Sequence, residues 1–221
     1  MTDEAGHVLI ADDHPLFRDA LRQVVQATLP HHAISEANTF EGAMSAAAGD
    51  QLDLILLDIN MPGMNGFSGL ISLRNHVPAT PVVVVSADET REAVSQAMTL
   101  GASGFIPKSL EREHMIAAVR MVLNGEVFVP AHDTLALTSG HGNEETLFRQ
   151  GYEALTSQQR KVLEMLVAGK SNKVIAFEMD VTESTVKAHV SAILRKLRVH
   201  SRTQAVLNAS RLLPGLRGQH A

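Results

Sequence analysis

The sequence predicts two domains of different class. Residues 7–124 read as a five-stranded parallel α/β domain, and residues 152–215 as a small all-α domain of four helices, with a linker at 125–151. Three observations carry this. In the first half, apolar runs rich in β-branched residues alternate five times with stripes of helical period, the pattern of a parallel sheet covered on both faces. After Tyr152 only helical periodicity remains. Charge divides at the same place: residues 1–149 hold 8 Lys+Arg against 19 Asp+Glu, a net of −11, and residues 150–221 hold 11 against 5, a net of +6. An acidic half joined to a basic half implies two tasks, the basic one facing nucleic acid.

Composition excludes several classes. The 221 residues contain no cysteine, so disulfides, thiolate metal sites and cysteine catalysis are absent. The longest apolar runs, "LDLILLDI" and "PVVVVSA", fall short of the roughly 18 residues of a membrane span. The acidic "MTDEAGHV" does not read as a signal peptide. A cytoplasmic protein with no membrane partner is expected.

Each element has a local reason. "HVLIAD", "HAISEA", "LDLILLD", "PVVVVSA" and "GFIPK" are the strands, their unbroken apolar character fitting burial on both faces. Pro107 confines the last of them to an edge. Helices are expected over Pro15–Thr28, Phe40–Ala48, residues 66–75, Thr90–Leu100 and Glu111–Asn124, with Gly101 and Gly125 as stops. Residues 125–151 show weak periodicity among Gly, Ser, Thr and Asn, and read as linker. Thr156, Ser171, Thr182 and Ser201 then stand where helix caps belong.

The strand ends carry the chemistry. Asp12 and Asp13 end the first strand, Asp58 the third, Ser86 the fourth and Lys108 the fifth. In an open parallel sheet, ligands sit beyond the carboxyl ends of the strands. Three adjacent carboxylates repel one another, and a hard cation such as Mg²⁺ relieves this. Lys108 supplies a point charge suited to a phosphoryl oxygen and Ser86 a hydroxyl donor. Asp12 and Asp13 are therefore expected to hold the magnesium ion, and Asp58 to attack phosphorus.

The stretches "VLIADDHPLFRDAL", "LILLDINMPGMNG", "VVVVSA" and "GASGFIPK" resemble the receiver domain of bacterial response regulators over about residues 7–124, a flavodoxin-like (βα)5 fold. The resemblance implies that Asp58 is the phosphoacceptor, and that Asp13, Asp58 and the carbonyl of Asn60 ligate Mg²⁺ with Asp12 acting through water. It implies a switch pair, Ser86 and Phe105, whose ring turns inward on phosphorylation. It also implies that Asn60 and Asp88 govern the access of hydrolytic water. The chain departs from the family in placing Pro107 before the lysine and Ser109 after it. A phosphatase of the haloacid-dehalogenase type also uses a nucleophilic Asp. It needs a second acid two residues on, where Asn60 stands here, so no enzyme acting on an external substrate is expected.

In the basic half, two helices flank the short turn "MDVT", the spacing of a helix-turn-helix. On the second of them Val186, Val190, Ile193, Leu194 and Leu197 form an apolar face. Ser184, Thr185, Ala188, Ser191, Ala192 and Arg195 lie opposite, and Lys187 lies on the flank. Small outward residues let a helix approach base edges while Lys and Arg meet phosphates. "LTSQQRKVL", "GKSNKVIA", "TESTVKAHVSAILRKL" and "SRTQAV" resemble the LuxR-type helix-turn-helix of the NarL/FixJ family. That resemblance implies a recognition helix over Glu183–Leu197, with Lys187, Ala188 and Ser191 nearest the bases. Thr185, Lys173 and Arg195 would meet the backbone, and the last helix (Ala205, Val206, Ala209, Leu212, Leu213) would form dimers, with part of its stripe also closing the bundle. Asp180 stands in the turn where a glycine is common.

The expected protein is a response regulator: phosphorylated on Asp58 by a partner histidine kinase, binding double-stranded DNA, and homodimeric when phosphorylated or DNA-bound. Its acidic half is expected to mask the basic face until then. A transcription factor with a degenerate receiver, controlled by a ligand or by dimerisation alone, is the alternative. "DINMPGMNG" and "VSAILRKLRVH" are also similar to the family's activators of glycerol and alcohol metabolism.

Overall fold

Valine, isoleucine and leucine fill the strands so completely that all three central ones are buried on both faces, which only a parallel sheet wrapped by helices provides. The computed structural model describes residues 6–49, 52–130, 142–199 and 201–213. Strands β1 (His7–Ala11), β2 (Ala33–Ala37), β3 (Leu52–Asp58), β4 (Val82–Ser86) and β5 (Gly104–Pro107) form one sheet in the order β2-β1-β3-β4-β5, every pair parallel. Helices α1 (Pro15–Thr28), α2 (Phe40–Gly49), α3 (Ser68–His76), α4 (Arg91–Thr99) and α5 (Arg112–Leu123) are the crossovers. Alternate strand residues feed two cores. Leu9, Ile55, Leu57, Val84 and Phe105 lie in one; Val8, Ile10, Leu54, Leu56, Val83 and Val85 lie in the other, with α1 and α5. Pro107 sits in edge strand β5, as its missing N–H requires.

The expected linker is narrower than 125–151. The chain after α5 returns to β5, where Phe105 donates its backbone N–H to the Phe128 carbonyl at 2.8 Å, and Val127 and Val129 pack on the first core. Helix α6 (Gly142–Glu153) then occupies residues 142–151 of the predicted linker and runs on into the helical domain. Among its described residues the one fully buried large side chain is Phe148, too faint a signal to register as a stripe. Gly151 permits its close approach to the bundle, since a β-carbon there would overlap the Lys196 carbonyl. Residues 131–141 fall outside the described residues.

The helical domain continues through α7 (Ser157–Val167), α8 (Asn172–Met179), α9 (Glu183–Leu197) and α10 (Arg202–Leu212). All four expected caps are made: Thr156, Ser171, Thr182 and Ser201 accept the backbone N–H of Gln159, Val174, Thr185 and Gln204. Asp180 takes the left-handed conformation at φ 55° and closes the turn between α8 and α9. Val186, Val190, Ile193, Leu194 and Leu197 are buried, as the stripe predicts. Part of the stripe on α10 closes the bundle, as expected: Ala205, Ala209 and Leu212 are buried in its core. Among the described residues no helix is long and apolar enough to cross a membrane.

Candidate functional site

At the carboxyl ends of the strands, Asp12 and Asp58 are buried to 0% and 1% exposure, and Lys108 joins them. Its ammonium lies 2.7 Å from Asp12 Oδ2 and 2.7 Å from Asp58 Oδ2. Burial alone would pull the Lys108 pKa down. The paired carboxylates of Asp12 and Asp58 outweigh it and raise the pKa, so the group is firmly cationic. Backbone amides hold the acids in place. Asp12 Oδ1 accepts the His14 N–H at 2.8 Å, and Asp58 Oδ1 accepts the Asn60 N–H at 2.9 Å. Asp13 is partly exposed, with His14 Nδ1 2.8 Å from its Oδ1.

The donor set fits a hard divalent cation. Carboxylate oxygens of Asp12, Asp13 and Asp58 and a nitrogen of His14 all lie within 4.8 Å of one another. Asp12 Oδ2 and Asp13 Oδ1 are buried without a hydrogen-bond partner, although Lys108 and His14 stand at ion-pair distance from them. Buried carboxylate oxygens left in that state are ready ligands. The site opens to a cleft of about 360 Å³ lined by His14, Leu16, Phe17, Asn60 and Lys108.

Ser86 is fully buried beside the site, and its Oγ accepts the Asp88 N–H at 3.1 Å. Phe105 is at 0% exposure, its ring packed in the apolar core. Asp88 Oδ1 accepts the Thr90 N–H at 3.0 Å, and this bond holds the carboxyl pKa down. Thr90 in turn caps α4, its side chain accepting the Ala93 N–H. Three contributors escaped the sequence reading. They are His14, Phe17 (whose ring centroid is 4.9 Å from Lys108 Nζ) and Arg18, which donates to the Asp12 carbonyl at 2.8 Å while pairing with Glu36. Each follows the acid pair at the N-cap or first turn of α1, but nothing in the spacing says that they turn back onto it.

The second set of candidates lies on α8 and α9, and its central member faces the α/β domain. Lys187 Nζ donates to the Leu52 carbonyl at 3.2 Å and to Asp53 Oδ1 at 3.0 Å, at the amino end of β3. Asp53 also accepts the His7 N–H and stands 3.7 Å from His32 Nε2. Burial, then the charge of Asp53, push the Glu183 carboxyl up, against the pull of Lys187 and Lys173. Gln204 donates to the Thr99 carbonyl at 2.8 Å, and Ala79 packs into the helical core. Lys173, Ala188 and Arg195 are exposed. The Thr185 hydroxyl is engaged with Thr182, and the Ser191 hydroxyl donates to the Lys187 carbonyl.

A parallel (βα)5 domain with an acid-lysine pocket, followed by a basic helix-turn-helix, defines a DNA-binding regulator with a built-in acidic control site. Comparison with known proteins agrees. Residues 8–120 match the response regulator receiver domain, and residues 153–209 match the bacterial regulatory proteins of the luxR family. The chain is 48% identical over 208 residues to the glycerol metabolism activator of Pseudomonas putida, covering 91% of this chain and 94% of that one. It is 33% identical over 204 residues to the nitrate/nitrite response regulator NarL of Escherichia coli K12, covering 92% and 94%. Among solved structures, a LuxR family DNA-binding response regulator from Silicibacter pomeroyi matches at 33% identity and a TM-score of 0.51, over 57% of this chain and 98% of that one. RcsB of Salmonella typhimurium has the same fold, at 19% identity and a TM-score of 0.55, over 95% and 99%. The chain belongs to the NarL/FixJ-type response regulators, which join a receiver domain to a LuxR-type DNA-binding domain.

Proposed function

We propose that Asp58 accepts a phosphoryl group from a partner histidine kinase in the cytoplasm, and that this step decides whether α9 reaches double-stranded DNA. Asp13, Asp58 and the Asn60 carbonyl would hold Mg²⁺, with Asp12 acting through water. When bound, the ion supplies charge neutralisation for the incoming phosphoryl oxygens. Lys108 orients and neutralises one of those oxygens, and the Ser86 hydroxyl donates to another. The protein is the phosphoacceptor and turns over no external substrate. The receiver spans 7–124. The DNA-binding domain spans 152–215, with α6 as its lead-in.

The observation that carries the control step is the pairing of Lys187 with Asp53. A recognition-helix cation placed to meet DNA is held by a receiver carboxylate, so the masked state is built from the same charge that binding uses. Release frees Lys187, Ala188 and Ser191 for bases, and Lys173, Thr185 and Arg195 for the backbone, with homodimers forming on the DNA. The relative named for glycerol metabolism makes the genes of small-polyol use the first place to seek targets. Replacing Asp53 tests the reading. Asp53→Asn keeps an oxygen for the His7 N–H but loses the charge that holds Lys187. Unphosphorylated Asp53→Asn protein should bind a promoter fragment more tightly than wild type in gel-shift titrations at equal salt. Equal affinity would remove the clasp from the account.

A further inference from the structure

Lys108 has three N–H donors: one goes to Asp58 Oδ2, and Asp12 Oδ2 stands at ion-pair distance, 2.7 Å, on a second side. Its third side faces the Phe17 ring, with the ammonium 4.9 Å from the centroid. The lysine side chain is only 15% exposed, so little water competes for that side. An aromatic face attracts a cation through its quadrupole, and more strongly where water is excluded. Such a contact is also tolerant of direction. The ammonium can turn toward an arriving phosphoryl oxygen and still keep its contact with the ring. A leucine of similar bulk would fill the space without attracting the charge.

We propose that Phe17 is a positioning residue for phosphorylation: its ring face holds the Lys108 ammonium over Asp58, where the phosphoryl group arrives. This rests on the reading of Asp58 as the phosphoacceptor. In the step itself an Asp58 carboxylate oxygen forms the new O–P bond as the donor's bond to phosphorus breaks. With phosphoramidate as donor, the leaving nitrogen keeps the bond's electron pair and departs as ammonia or ammonium. Nothing is oxidised or reduced, and Lys108 keeps its protons.

The test is a graded series in the full-length protein, with Phe17 replaced by mono-, di- and trifluorophenylalanine. Fluorine drains the ring face while scarcely altering its shape, so packing is held constant. Phosphorylation by phosphoramidate with Mg²⁺ is followed by intact mass, beside wild type, Phe17→Leu and Asp58→Asn. The rate should fall stepwise with each fluorine, reaching about tenfold below wild type at the end of the series and in Phe17→Leu. A second readout is the NMR resonance of the Lys108 ammonium, which should lose its ring-current shift in Phe17→Leu. Equal rates across the fluorinated series would overturn the proposal, even if Phe17→Leu were slow, because only packing would then matter. A phosphoryl gain on Asp58→Asn would instead overturn the underlying assignment of Asp58.

Discussion

Asp58 is presented by its own backbone. Its Oδ1 is held by the Asn60 N–H, two residues on in the turn after β3, which leaves Oδ2 turned toward Lys108. The amide oxygen of Asn can take the same N–H, so Asp58→Asn should fold normally. It should gain no phosphoryl mass when treated with a small phosphodonor and Mg²⁺ and weighed intact. The acids, Ser86 and Lys108 were legible because each ends a strand, and a parallel sheet sends all its strand ends to one edge. The roles of His14, Phe17 and Arg18 were not legible. They depend on how the first turn of α1 folds back over the acid pair, which is a matter of tertiary geometry.

At the scale of elements, strands and capped helices are where sequence and structure agree most closely. Thr156, Ser171, Thr182 and Ser201 all cap the helices they precede, because a side-chain oxygen next to free N–H groups is a local arrangement. The stripe on α9 likewise fixes its buried face. Val190 is at 0% exposure in the helical core, so Val190→Lys places an unpaired charge there. It should unfold the small domain, seen as loss of its helical signal in circular dichroism. Helix α6 escaped notice for a physical reason: it is held by Phe148 and by the close seat of Gly151, not by an apolar stripe. Gly151→Val should force α6 off α9 and cost several kcal/mol, on the order of other overpacking changes in tight contacts. Its melting temperature should drop well below that of an exposed change such as Gln150→Ala.

Across the whole molecule, the acidic site and the recognition helix meet opposite ends of the same sheet. The carboxylates lie at the carboxyl ends of the strands, while Lys187 grips Leu52 and Asp53 at the amino end of β3. Phosphorylation must therefore act through the sheet and its crossovers. The difference in charge between the halves foretold the attraction, but which cation meets which acid depends on packing between domains. Glu183 adds a dependence on pH. Burial and Asp53 raise its carboxyl pKa in the docked state, so docking binds a proton more readily than the open state does. That contribution is fully present below the ordinary carboxyl range and is lost as pH rises through the raised value. Masking should thus tighten on mild acidification, and Glu183→Gln should flatten the effect. Domain separation measured by fluorescence transfer between a label on each domain checks both.

The central claim is that phosphate on Asp58 releases α9 to bind DNA. Its most direct test is the affinity of full-length protein for a promoter fragment, titrated at fixed salt before and after treatment with phosphoramidate and Mg²⁺, with Asp58→Asn carried in parallel. Tighter binding by the treated wild type, with no change in Asp58→Asn, is the predicted result; treated and untreated wild type binding alike, while mass confirms full phosphorylation, would contradict it.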